Sequence, residues 1–165
     1  MNKEIFQAAQ ANDITKLKRL LEINPSLANK ESEDGLTPLG FAAHYGNKDA
    51  VQILLEYGAE VNVVSHSKIE FIPSNTALHA AIAGERNIEV IKLLLHNNAK
   101  TTISDSNYHT SLHTAAFHGD NTEIISLLIE EGADVNIKTK DGKTALDIAA
   151  EQRNYRVAQL LQQNN

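Results

Sequence analysis

A threonine followed at once by a short apolar stretch recurs at Thr37, Thr76, Thr110 and Thr144, in steps of 39, 34 and 34 residues. Behind the first three stands a chain-reversing residue and then an alanine: Gly58-Ala59, Asn98-Ala99 and Gly132-Ala133, which begin 21, 22 and 22 residues after the threonine. From each reversal to the next threonine the distances are 18, 12 and 12 residues, so the irregularity is one loop with six extra residues. This period constrains the fold more than any other feature. A catalytic centre is usually built once, whereas a segment built several times is a supersecondary unit that buries its apolar face on its neighbours.

Each unit reads as two short helices. The threonine oxygen caps the first, and Pro38 follows Thr37 where a missing N–H costs nothing. The first helix carries LGFAA, LHAAI, LHTAA and LDIAA, whose alanines allow close approach of adjacent units. The second carries AVQILLEYG, VIKLLLHNN and IISLLIEEG, apolar at helical spacing. It stops at Gly58, Asn98 or Gly132, residue types that tolerate a left-handed turn.

These units resemble ankyrin repeats. DGLTPLGFAAHYG and DGKTALDIAA match the start of that family's pattern, and EEGADVN matches its end. The resemblance covers the whole chain and implies an all-α repeat solenoid of helix-turn-helix units joined by β-hairpin loops. The expected division of the single domain is an N-terminal capping repeat over 1–33, then repeats over 34–72 (with the extended hairpin), 73–106 and 107–140, and a C-terminal capping repeat over 141–165. Both caps are expected to turn a polar side outward, with Asn2, Lys3, Glu4, Gln7 and Gln10 at one end and Gln159, Gln162, Gln163, Asn164 and Asn165 at the other. Asn24-Pro25 is expected to end the second helix of the first unit. Two departures stand out. Glu85 replaces the mid-unit glycine, and one extra residue precedes both Glu89 and Glu123, with a bulged inter-helix turn as the expected result.

Composition narrows the chemistry. The chain has no cysteine, which excludes disulfides, thiol nucleophiles and Cys-ligated metal sites. No apolar run approaches the roughly 18 residues of a membrane span, and MNKEIFQAAQ has no signal-like core, so a cytoplasmic, monomeric protein without membrane contact is expected. A net charge of −6 disfavours nucleic acid. No hydrolase elbow, P-loop or dinucleotide fingerprint is present, so no catalytic residue, cofactor or metal is assigned and the chain is read as a non-enzyme.

The histidines carry the competing reading of a metal- or small-molecule-binding protein, built on His44, His109, His113 and His118. His109-x3-His113 has helical ligand spacing. The resemblance instead places His113 and His79 at the family's structural histidine, which hydrogen-bonds between neighbouring repeats.

The favoured reading is a non-catalytic module for a protein partner, acting as a small adaptor or regulatory subunit. By the resemblance, first helices and hairpin tips line a concave face. The residues assigned to it are Glu33, Leu36, His44 and Tyr45; Phe71 and Ile72; Tyr108, His109, Phe117 and His118; and Lys140 and Lys143. Tyr45, Phe71, Tyr108 and Phe117 are half of the eight Phe and Tyr residues, and exposed aromatics on a rigid surface are the usual interface anchors. Tyr45 and Phe117 packing between first helices, and Phe71 folding back from its loop, are the competing expectations. The first hairpin (30–34) carries +1 − 3 = −2 and the last (138–143) +3 − 1 = +2, a gradient that would orient a partner.

Overall fold

Four threonines start four helices. In a computed structural model that describes residues 1–165, α3 (Pro38–His44), α5 (Ala77–Gly84), α7 (Ser111–His118) and α9 (Ala145–Glu151) each begin immediately after Thr37, Thr76, Thr110 or Thr144. The Thr37 hydroxyl accepts from the Gly40 N–H at 3.0 Å, and Thr144 accepts from Asp147 at 3.3 Å. The Asp147 carboxylate answers by accepting from the Thr144 N–H and hydroxyl, both at 2.8 Å, so each end of the turn holds the other. These bonds pull the Asp147 carboxyl below its ordinary range.

The second helices are α4 (Lys48–Glu56), α6 (Ile88–His96), α8 (Thr122–Glu130) and α10 (Tyr155–Gln163). The first pair in the chain is α1 (Asn2–Ala11) with α2 (Ile14–Ile23). Gly58, Asn98 and Gly132 all lie at positive φ, between +67° and +87°. Behind each, two bonds close the helix: the alanine N–H reaches back to Leu54, Leu94 or Leu128, and the reversing residue's N–H to Leu55, Leu95 or Ile129. This paired closure satisfies carbonyls that would otherwise be orphaned.

The chain divides into two compact units, Met1–Ala99 and Lys100–Asn165. Within the first, α1 packs on α3 and α3 on α5, while α2 packs on α4 and α4 on α6. Within the second, α7 packs on α9 and α8 on α10. First helices thus pack on first helices and second on second. The paired alanines mediate this, with Ala42, Ala43, Ala80, Ala81, Ala115, Ala116 and Ala149 all buried. Leu54, Leu94, Ile125 and Leu128 on the second helices are fully buried.

The connecting segments turn as hairpins but form no β ladder. Two backbone bonds close each of these tips, one of them Ser32 N–H to Leu36 O (2.9 Å), Asp105 N–H to His109 O (2.8 Å) or Thr139 N–H to Lys143 O (2.9 Å). The expected β-hairpins are therefore hairpin turns without strands, because only one residue on each side of a tip faces its mate. The extra residue of the third unit falls in the inter-helix turn: Glu85 stands as far from Thr76 as Gly46 does from Thr37, but Arg86 separates it from Asn87, whereas Gly46 adjoins Asn47. Glu85 takes the left-handed conformation at φ +50°, as Gly46 does at +71°. Pro25 ends α2 as expected and begins a 3-10 turn over Pro25–Asn29. Asn2 is a correction: its side chain turns inward and donates to the Glu31 carbonyl at 3.0 Å, so it does not belong to the solvated outer side.

Candidate functional site

Asparagines fix the geometry on which the exposed residues stand. The Asn47 amide donates to the carbonyls of Ala9 and Gln10 at 2.7 and 2.8 Å, ending α1 with a residue from the start of α4. Asn87 reaches Gly46 O at 3.2 Å, and Asn154 reaches Ala116 O at 2.9 Å. In return Asn12 caps the Ala50 N–H (3.1 Å) and Asp120 caps the Val157 N–H (2.8 Å), each serving the second helix of the following pair. Orphan groups at one helix end are therefore satisfied by the next pair, and both turns are locked together.

His113 belongs to the same framework. Its Nδ1 accepts from the Thr110 N–H at 3.1 Å and lies 2.8 Å from the Thr110 hydroxyl, while Nε2 lies 3.1 Å from the Ile137 carbonyl. An acceptor at Nδ1 and a carbonyl at Nε2 define the neutral ring with its proton on Nε2. Burial holds the His113 pKa below its ordinary 6.5. His79 lies 2.8 Å from the Thr76 hydroxyl in the same manner. The His109 ring lies 5.9 Å from His113, centroid to centroid, but both His113 nitrogens are engaged by the scaffold. No three histidine or carboxylate side chains converge on a point where a metal ion would sit.

In the Met1–Ala99 unit, Tyr45 is half-buried at the end of α3. It closes an edge-to-face series in which Phe6 meets Phe41 at 5.4 Å and Phe41 meets Tyr45 at 5.1 Å. The Arg86 guanidinium lies 5.2 Å from the Tyr45 ring centre, and the His44 ring stands against its edge at 5.3 Å. Tyr45 thus packs along the first helices and also keeps a wet edge. Arg86, Phe41 and Phe6 escaped the sequence reading. The signal was present for Arg86, which is the extra residue of its unit.

Glu33 is exposed at the first tip, while Leu36 behind it is half-buried. The long 60–75 loop lies along this tip. The His66 N–H donates to Gly35 O at 3.0 Å and the Lys68 N–H to Asp34 O at 2.9 Å. The Glu31 carboxylate accepts from the His66 N–H at 3.1 Å and sits 2.9 Å from its ring nitrogen, and the Lys68 ammonium donates to Glu33 O at 2.9 Å. The base of the loop is thereby fixed. Its apex is not packed: Phe71 is 86% exposed while Ile69 and Ile72 are half-buried beneath it.

In the Lys100–Asn165 unit, Tyr108 stands at a hairpin tip with 56% of its surface exposed and Phe117 on α7 with 48%. The Lys140 ammonium, from the following tip, lies 5.7 Å from the Tyr108 ring centre. His118 is exposed and packs its ring edge-on to Phe117 at 5.1 Å, and His109 is half-buried beneath the tip. Lys143 is bound to Glu151 at 2.7 Å, which raises its pKa and removes one of the three lysines from the free positive charge of that tip.

Tyr108 has one further property. Its φ is +64°, and the corresponding residues of the first and last tips are Gly35 and Gly142, both at +77°. A β-carbon in this region costs roughly 1–2 kcal/mol. Here a tyrosine occupies a conformation that the other two tips leave to glycine.

A family model described as ankyrin repeats (3 copies) matches residues 5–105 and 87–165. A probable E3 ubiquitin-protein ligase of rice, XBOS33, is 38% identical over 105 residues, 62% of this chain and 19% of that protein. The human NAD-capped RNA hydrolase NUDT12 is 40% identical over 75 residues, 46% of this chain and 15% of that protein. Human inversin is 36% identical over 96 residues, 58% of this chain and 8% of that protein. The chain spans less than a fifth of the length of these relatives, so what it has in common with them is the repeat segment. No helix of the chain is long and apolar enough to cross a membrane.

Proposed function

Because the chain belongs to the ankyrin-repeat family, a non-catalytic interaction fold, we propose that it is a protein-binding module that presents first helices and hairpin tips to a protein partner, as an adaptor or regulatory subunit. Its anchors are Tyr45, Phe71, Tyr108 and Phe117. Around them Glu33, Leu36, His44, Ile72, His109, His118, Lys140 and Lys143 supply the polar and aliphatic rim. The mechanism is preorganisation. Asparagine bonds hold the inter-helix turns, and the tips' own backbone bonds with the threonine caps beside them hold the tips, before the partner arrives, so less ordering entropy is lost on association. A cytoplasmic, monomeric state with no nucleic-acid partner is part of the same proposal.

The observation that carries it is Tyr108. A strained backbone persists only where the surroundings impose it or function selects it. The scaffold does not need a side chain there, since Gly35 and Gly142 close the same kind of tip. The ring is over half exposed, so burial does not offset the strain. Recognition does offset it, because a rigid aromatic contributes large contact area for little lost entropy.

The test is capture of partners from lysate of the source organism on the full chain, beside Phe71→Ala, Tyr108→Ala and Phe117→Ala variants checked by thermal melting. The expected result is one protein retained by wild type and depleted by each variant, with the melting temperatures of the Phe71 and Phe117 variants near that of wild type. Undiminished retention by all three would refute the assignment of the anchors.

A further inference from the structure

Two Asp-Gly pairs, Asp34-Gly35 and Asp141-Gly142, stand at corresponding hairpin tips. An aspartate followed by glycine is the sequence most open to backbone rearrangement, since no side chain hinders attack of the next amide nitrogen on the β-carboxyl. The two turns are built alike. The glycine N–H donates to Ser32 O at 3.0 Å in one and to Thr139 O at 2.9 Å in the other. Their surroundings are opposite. Gly35 is buried, its carbonyl and that of Asp34 are held by His66 and Lys68 of the long loop, and a β-carbon on it would lie 1.9 Å from the His66 carbonyl. Asp141 and Gly142 are both exposed, and nothing lies within 4 Å of a β-carbon built on Gly142. The bonds that close the turn itself are internal to it: Gly142 to Thr139, Thr139 to Lys143, and the Lys143 N–H to the Thr139 hydroxyl at 3.2 Å; the tie to Glu151 is made from the Lys143 side chain, outside the Asp141-Gly142 pair.

We propose that Asp141 is a site of spontaneous isoaspartate formation, and that the 60–75 loop protects Asp34 from the same reaction. When the 139–143 turn opens, the Gly142 nitrogen attacks Cγ of Asp141. The nitrogen's proton passes to the departing carboxyl oxygen, one water leaves, and a succinimide ring forms. Water then adds to one of the two ring carbonyls. Addition at Cγ restores aspartate. Addition at the main-chain carbonyl breaks its bond to nitrogen, so the chain now runs through Cγ and the α-carboxylate is free. The water lost in the first step is regained in the second, and no other reactant is needed.

Opening is the controlling step, because in the closed turn the attacking N–H is hydrogen-bonded. At Asp141 opening breaks the three bonds of an exposed Asp-Gly turn. At Asp34 it also breaks both bonds to the loop and dislodges a buried glycine, so the open state is rarer. The product has one more backbone atom in the tip that holds Lys140 over Tyr108. The modification therefore reshapes the lysine-bearing tip and leaves the first tip intact.

The test is incubation of the whole chain at neutral pH and physiological temperature, with a parallel sample unfolded in urea. Cleavage at glutamate releases peptides 132–151 and 34–56, in which isoaspartate is separated by chromatography and located by electron-transfer fragmentation. In the folded protein isoaspartate is expected to accumulate in 132–151 several-fold faster than in 34–56. In urea the two rates are expected to converge. An Asp141→Ser variant, which keeps the 132–151 peptide intact under the same cleavage, should lose the signal, since serine has no carboxyl with which to close the ring. Equal rates in the folded chain, a faster rate at Asp34, no conversion in the folded chain against ready conversion in urea, or a signal that survives in Asp141→Ser would each overturn the proposal.

Discussion

Tyr108 and His113 stand five residues apart and show the two ways a side chain depends on this scaffold. Tyr108 is held at φ +64° by a tip that would close as well around glycine. Tyr108→Gly should therefore stabilise the folded chain by about 1 kcal/mol, the release of left-handed strain offset in part by greater freedom of the unfolded chain. Thermal melting checks this, with a rise of about 2–4 °C expected for each kcal/mol in a chain of this length. The same variant should bind the partner more weakly. His113 behaves in the opposite sense, since its ring is part of the framework. Its folded pKa lies below its ordinary 6.5 because burial disfavours the imidazolium. The unfolded chain thus takes up a proton before the folded one does. The stability linked to this histidine is complete above pH 6.5 and is lost as pH falls from there toward the folded value. A melting series taken downward through that pH should show the decline, and His113→Gln, which has no proton to take up, should show less of it.

The helices and their ends were largely legible in the sequence, because each is announced by a residue whose chemistry is local. A threonine before an apolar run satisfies the next turn's N–H groups, and glycine or asparagine behind it accepts positive φ. The clamps made by Asn47, Asn87 and Asn154 were not legible, since their partners lie 37 to 41 residues away and no local rule names them. The missing β ladder and the inward turn of Asn2 have the same origin, in pairing that depends on the neighbouring segment. Among the surface residues, exposure of Phe71 at the loop apex could not be separated from burial by sequence, because an apolar tripeptide suits either; the bonds at the loop base decide it. One consequence at the level of helix pairs concerns Gly84, the last residue of α5. A β-carbon there would lie 2.1 Å from the His44 carbonyl at the end of α3. Alanine in an unobstructed helix would add about 1 kcal/mol of stability. Here the clash with backbone should reverse the sign, and Gly84→Ala should cost about 1–3 kcal/mol, read from the denaturant midpoint.

Across the chain, stability comes from aliphatic burial and from polar groups satisfied between successive helix pairs. Ion pairs contribute little. Glu4–Lys16 at 3.8 Å, Glu89–Lys92 at 3.3 Å and Lys143–Glu151 at 2.7 Å join side chains that are two-fifths to one-half exposed, and solvent screens exposed pairs of this kind. Raising the ionic strength from low to high should therefore leave the melting temperature almost unchanged, whereas partner association, which draws on the charged tips, should slow. The proposed working surface is the tips and first helices, with the second helices as support. Hydrogen–deuterium exchange of the full chain, alone and with the captured partner bound, tests it most directly. New protection is expected at the tips around Phe71, Tyr108 and Lys140 and along α3 and α7. Protection confined to α4, α6, α8 and α10, with those tips exchanging as in the free chain, would contradict it.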